Sequence, residues 1–257
     1  WGPSPVCTDF NYKYYISFVD ACTRYTWIYF LKAKSDTYAT VVNFSNMVEN
    51  QFNTKIKVLQ SDGGSEYKNL SEFFKTKGII HRTTCPYTSK QNGLVERKHR
   101  HIVETGLTLL AHASLPLKFW SEAFNTAVYL INRMPTVVLK DLSPIEKLYN
   151  IKPDYQSLKT FGCLCFPYLR PYNTNKLNFR SKPCTFIGYA TKQKGYRCID
   201  ENGRIFISRH MVFNEEVFPY KSSDIKTTNK VIIGKSSIPG IPYYTDSLAG
   251  INKAVAV

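Results

Sequence analysis

A mixed α/β unit followed by a smaller all-β unit is the architecture this sequence predicts, and three observations carry that reading. Two β-rich runs joined by a short polar break lie near the start. Strand-like and helix-like patterns then alternate as far as Pro135, and past Pro153 the pattern changes to short strands parted by turns. The 257 residues are 43% apolar, enough to bury one large core or two modest ones, which excludes a disordered or collagen-like chain.

The runs 13–20 and 25–32 alternate Tyr, Ile, Phe, Val and Trp around the break 21–24, the pattern of a hairpin in one sheet. Ser35 is placed to cap a helix reaching Phe52, with Val41, Phe44 or Ser45, Val48 and Phe52 on the side that packs on the sheet. A short strand, 56–61, delivers Asp62 at its C-terminal end. After Gly63 and Gly64 a short helix stops near Gly78, and a strand at 79–84 follows. Turn chemistry fills 85–93, a helix runs over 94–113, and Pro116 opens another whose stripe is Phe119, Ala123, Ala127 and Leu130 or Ile131. Ser143-Pro144-Ile145-Glu146 has capping-box spacing with proline at the first helical position. The later strands fall at 163–169, 182–190, 195–200, 204–208 and 211–214 and predict a small barrel. From 221 to 257 Ser, Thr, Lys and Gly prevail, the composition of a disordered linker.

Lysine and arginine number 34 against 19 acids, a formal charge of +15, more than solubility requires. A polyanion is therefore the first partner to expect. No run of about 18 apolar residues is present, which sets a membrane aside in favour of nucleic acid. Opening on Trp1 with neither a charged leader nor an apolar signal core, the chain reads as part of something longer. Seven cysteines without any C-x-x-C spell neither a disulfide framework nor a zinc ribbon, so they are expected reduced and packed as small hydrophobes.

Two carboxylates stand out. Asp62 lies at a strand end followed by two glycines, where small residues let a phosphate backbone approach. Glu96 sits in the first turn of a helix, followed by Arg97, Lys98 and Arg100. A hard divalent cation between them, next to a phosphodiester, is the natural proposal. Arg100, one turn beyond Glu96, shares its face and could meet a phosphate, or instead pair with Glu104 on a solvated helix. His99 and His101, two apart on a helix, do not suit a shared metal and read as surface residues.

These residues resemble the integrase region of a copia-type long-terminal-repeat retrotransposon Pol polyprotein, from Trp1 to Tyr220. The resemblance rests on an ordered series: the two acidic motifs, Pro86-Tyr87-Thr88 before Gln91-Asn92-Gly93, Phe119-Trp120, Tyr129 to Arg133, Phe161-Gly162-Cys163, Phe186-Ile187-Gly188-Tyr189, Lys194-Gly195-Tyr196 and Ser208-Arg209-His210. It implies a ribonuclease H-like core whose Asp, Asp, Glu triad holds Mg²⁺ or Mn²⁺ for in-line displacement at phosphorus. The second Asp maps onto Asp62 and the Glu onto Glu96. The spacing between them is slightly shorter than usual in the family, and Gly63 replaces a frequent Asn. The first Asp would precede Trp1 and so lies outside this chain, with the end of the strand that bears it. Asp9 and Asp20 are poor substitutes.

The resemblance further implies DNA contact by Lys90, Gln91, Asn92, Arg97, Lys98 and Arg100, homo-oligomers on paired element ends, and a location in the nucleus and in cytoplasmic virus-like particles. It divides the chain into a catalytic core at 1–135, a helical connector at 136–158, a small β-barrel at 159–220 and a linker at 221–257. Within 159–220 ten Lys or Arg face four acids, with Tyr168, Tyr172, Tyr189 and Tyr196 interleaved, which suits either a nucleic-acid surface or a barrel core. A non-enzymatic alternative stays open: a decayed or domesticated remnant whose basic surface binds DNA.

Overall fold

Strands β1 (Tyr14–Val19) and β2 (Thr26–Leu31) form the expected antiparallel hairpin, with Phe18 opposite Trp27. The structure, a computed structural model, describes residues 1–62, 64–83, 93–191 and 193–222. Helix α1 (Thr37–Phe52) buries Val41, Phe44, Val48 and Phe52, and Phe44 stacks on Phe18 with ring centres 3.9 Å apart. Ser35 does not cap it. A 3-10 turn over Lys34–Asp36 comes first, and the Asp36 carboxylate accepts the Lys32 and Ala33 amides, so one carboxylate spends its acceptors on the incoming turn.

Strand β3 (Val58–Ser61) pairs in parallel with β4 (Ile80–Thr83), Ser61 opposite Thr83. Between them run a 3-10 stretch, Ser65–Leu70, and helix α2 (Ser71–Lys77), which ends on Gly78 at a left-handed φ of 69°. Among the described residues the two hairpin strands and the two parallel strands form separate sheets, one of each pairing type.

Helices α3 (Gly93–Ala113) and α4 (Trp120–Ile131) follow, then α5 (Pro144–Tyr149), where the Ser143 hydroxyl accepts the Glu146 amide at 3.3 Å as the capping spacing predicted. Asn132, just past α4, is 1% exposed and holds β2 through both faces of its carboxamide. Its Oδ1 accepts from the Thr26 amide at 2.9 Å, and its Nδ2 donates to the Thr26 carbonyl at 2.8 Å.

The chain divides into two compact units, and the division passes through α3 and α4: Trp1–Glu104 belongs with Leu130–Pro153, and Thr105–Tyr129 with the chain from Asp154. A linear reading of composition has no means of marking a border inside a helix. In the second unit β5 (Leu164–Pro167), β6 (Cys184–Tyr189), β7 (Tyr196–Ile199), β8 (Ile205–Ser208) and β9 (Met211–Asn214) make one antiparallel sheet in the order β8-β7-β6-β5-β9. α4 packs closely against it: a Cβ on Gly188, whose φ is 121°, would lie 2.4 Å from Thr126 Oγ1.

Cys163, Cys165, Cys184 and Cys198 are buried in the core of this sheet with Phe186, Tyr189 and Phe206. Burial and the charge of Glu215 push the Cys163 thiol up to about 12, so it stays protonated at neutral pH. Cys7 and Cys22 are exposed free thiols, against the expectation that the cysteines pack inside. The interleaved tyrosines divide. Tyr189 is core and stacks on Tyr129 at 3.8 Å, Tyr196 is half-buried, and Tyr168 and Tyr172 stay exposed. A last turn, α6 (Pro219–Ser222), ends the described chain, so the linker expected from 221 lies, from 223 on, outside the described residues. Among the described residues no helix is long and apolar enough to cross a membrane.

Candidate active site

Trp1, at one end of β1, has Asp62 from the end of β3 near its nitrogen and His99 from the first turns of α3 beside its ring. The Trp1 amino group donates to the Tyr15 carbonyl at 2.9 Å, which seats its ring on Tyr15 at 5.3 Å between centres and within 6.3 Å of the His99 ring. Asp62 and Glu66 lie close enough to the Trp1 nitrogen for their charges to be felt there. Asp62 thus faces the same small neighbourhood as His99, three residues beyond Glu96 and on the same side of the helix. Both Asp62 and Glu96 are exposed, so each carboxylate can reach a solvated ligand.

His99 is not a surface residue, as its spacing alone suggested. It is half-buried, stacked on Tyr15 at 5.4 Å, with Nδ1 2.8 Å from the Tyr15 hydroxyl. Burial pushes the hydroxyl up and the imidazole down, so both partners of the bond are held in their neutral forms. This bond ties α3 to the first residues of β1, at the open end of the hairpin. The turn that carries Glu96 is fixed by it.

A second tie lies under Asp62. Ser61 Oγ donates to the Asp62 carbonyl at 2.8 Å and sits 2.9 Å from His81 Nε2. One hydroxyl has one proton, so His81 must donate through Nε2–H. The relay runs from β4 to the peptide of Asp62. Phe74, 4.8 Å from the imidazole, and Tyr67, at 6.3 Å, hold the ring in place.

Of the expected DNA contacts, Lys90, Gln91 and Asn92 lie outside the described residues, as does Gly63. Arg97 is exposed and reaches back along the helix, so that a Cβ on Gly93 would lie 3.1 Å from its guanidinium. Arg100 is exposed one turn past Glu96. Lys98 is half-buried, and burial, then the charge of Arg24 in the β1–β2 turn, lowers its pKa. Asp20 is fully buried and caps that turn, accepting the Thr23 hydroxyl and the Thr23 amide at 2.9 Å. Its acceptors are spent there.

Glu66, Ser61, His81 and Arg24 are the residues that motif reading did not assign. Glu66 turns back over Gly64, where a Cβ would meet its carboxyl carbon at 2.9 Å, and with Lys34, Ser35, Tyr38 and Asn69 lines a cavity of about 150 Å³. A serine before Asp62 and a histidine twenty positions on carry no local signal. Only the parallel register of β3 and β4 brings them together.

Among the described residues no three His, Cys, Asp or Glu side chains gather as a ready metal cage. Asp62 and Glu96 instead offer two exposed hard oxygen donors. That donor set fits Mg²⁺, which is usually bound by one or two carboxylates and retains part of its hydration shell.

Residues 2–89 match the model of the integrase core domain, and residues 163–233 that of the retroviral polymerase SH3-like domain. The chain is 50% identical over 220 residues, 85% of its length, to the retrovirus-related Pol polyprotein from transposon RE1 of Arabidopsis thaliana. It is 47% identical over 94% of its length to that from transposon RE2 of the same plant, and 37% over 93% to that from transposon TNT 1-94 of Nicotiana tabacum. It spans 15%, 17% and 18% of these relatives, respectively. A chain of the simian T-cell lymphotropic virus intasome, solved in complex with PP2A regulatory subunit B56 gamma, is 15% identical, with a TM-score of 0.43 over 77% of this chain and 70% of that one.

Proposed function

This chain belongs to the integrase region of retrotransposon Pol polyproteins, and from that premise we propose that it binds the ends of element DNA and supplies two of the carboxylates for metal-dependent end trimming and strand transfer. Supporting the proposal is the corner around Trp1, whose nitrogen feels the charge of Asp62 and whose ring lies 6.3 Å from that of His99, three residues beyond Glu96. Asp62 and Glu96 would hold Mg²⁺ or Mn²⁺. When bound, the ion polarises the phosphodiester and neutralises charge developing on its oxygens.

The protein's own part is positioning. The His81–Ser61 relay fixes the peptide that carries Asp62, and the Tyr15–His99 bond fixes the helix that carries Glu96. Arg100, exposed one turn past Glu96, would meet a phosphate beside the carboxylates, and Arg97, also exposed, would add a further DNA contact. Lys90, Gln91, Asn92 and Lys98 complete the proposed contact set. Copies of the chain are proposed to act together on paired DNA ends.

The test is strand joining by a protein extended upstream of Trp1 to supply the third acid, with Mg²⁺ or Mn²⁺ present. Asp62→Asn and Glu96→Gln are each expected to abolish joining while DNA affinity holds. Variants as active as the wild type would overturn the assignment. Binding itself should weaken with salt at a slope of roughly 0.9 in log K per phosphate neutralised on a duplex. A flat response would remove DNA as the partner of the +15 charge.

A further inference from the structure

The loop between β5 and β6 holds two apolar side chains in water. Leu177 is 91% exposed and Phe179 90%. Neither is left there by a loose chain. The base is closed by the Leu169 amide on the Arg180 carbonyl at 2.8 Å, and the Tyr172 hydroxyl donates to the Ile207 carbonyl at 2.9 Å. Inside the loop, Asn173 Nδ2 donates to the Phe179 carbonyl at 3.0 Å, and the Leu177 amide to Asn175 Oδ1 at 3.0 Å. These bonds shape the loop without giving Leu177 or Phe179 anything to pack on. Burial in this unit therefore does not explain them.

Charge identifies what would cover them. Between Asp154 and Asp200 there are eight Lys or Arg and no acid. Lys159 is engaged by Glu215, Lys182 by Asp200 and Arg197 by Glu122. Arg170, Lys176 and Arg180, the cations of the loop itself, pair with no carboxylate among the described residues. Tyr168 and Tyr172, 40% and 39% exposed, flank the same segment. An apolar protein groove would suit Leu177 and Phe179 alone. Unpaired cations on both sides of them favour a polyanion that also offers flat apolar faces.

We propose that residues 168–182 form a wedge for unpaired or unstacked DNA bases, with Phe179 stacking on a base, Leu177 beside it, and Arg170, Lys176 and Arg180 on the adjoining phosphates. The proposal rests on DNA being the ligand of this chain and specifies the form of DNA it prefers. Paired duplex, whose base faces are covered, gives the wedge nothing to stack on. A frayed end or an overhang does.

The experiment compares the whole chain's affinity for a blunt duplex and for the same duplex with a single-stranded overhang carrying 2-aminopurine. The wild type is expected to prefer the overhang and to quench the aminopurine. Phe179→Ala should weaken overhang binding by about fivefold or more, abolish the quench, and leave the salt slope unchanged. Lys176→Gln with Arg180→Gln should lower the slope by roughly 1.4 to 1.8. Because these side chains are exposed, the variants should keep the wild-type unfolding transition. Phe179→Ala binding both DNAs as the wild type does, or losing both equally, overturns the wedge while leaving DNA binding intact. Loss of self-association in place of loss of overhang preference also overturns it, by making the loop a protein interface. A wild type that binds neither DNA sinks the wedge together with the proposed function.

Discussion

His81→Leu breaks the relay beneath Asp62 without touching a carboxylate. In the structure His81 Nε2 lies 2.9 Å from Ser61 Oγ, which lies 2.8 Å from the Asp62 carbonyl. Leucine keeps apolar contact with Phe74 but removes the donor. A net hydrogen bond contributes about 0.5–1.5 kcal/mol. If all of it is felt as looser placement of Asp62 in the transition state, joining slows by about two- to thirteenfold, at roughly 1.36 kcal/mol per factor of ten. The assay is single-turnover strand joining by the upstream-extended protein, run across a metal titration, with urea unfolding measured alongside. His81→Gln, whose amide can still donate to Ser61, should recover most of the rate. Ser61→Ala combined with His81→Leu should cost little more than either alone, since each breaks the same relay. Equal rates for Leu and Gln at position 81, or fully additive losses in the double variant, would refute the positioning role.

Two further outcomes concern stability. Asn132→Ala leaves the buried amide and carbonyl of Thr26 without partners, which costs on the order of 2–4 kcal/mol, read as a lower urea midpoint. An unchanged midpoint would show that the carboxamide is not the latch of β2. Burial lowers the pKa of His81, His99 and His101 below the ordinary 6.5, so the unfolded chain takes up protons first as pH falls. Stability is full above 6.5 and declines as pH drops from there toward the folded-state values, and a midpoint that rises on mild acidification would contradict it.

Most elements were readable in the sequence because their signals are local. Alternating aromatics marked β1 and β2, Gly78 marked the end of α2, and Ser143 with Pro144 and Glu146 marked α5. Asp62 and Glu96 were visible for the same reason, each being set in a motif of small or basic neighbours. What was missed depends on contacts far apart in sequence. His99 read as a surface residue because nothing near it shows that Tyr15, 84 positions away, waits as its partner. Ser35 resembled a helix cap until Asp36 took the turn. The tyrosines of the all-β unit could not be sorted by composition: Tyr189 and Tyr196 lie on strands, Tyr168 and Tyr172 in the connection after β5.

Binding of Mn²⁺ to the chain, followed by electron paramagnetic resonance with and without a DNA end, tests the shared carboxylate pair most directly. One class of site that DNA tightens is expected, and Asp62→Asn and Glu96→Gln should each weaken it severely. Mn²⁺ binding that survives unchanged in either variant would contradict it.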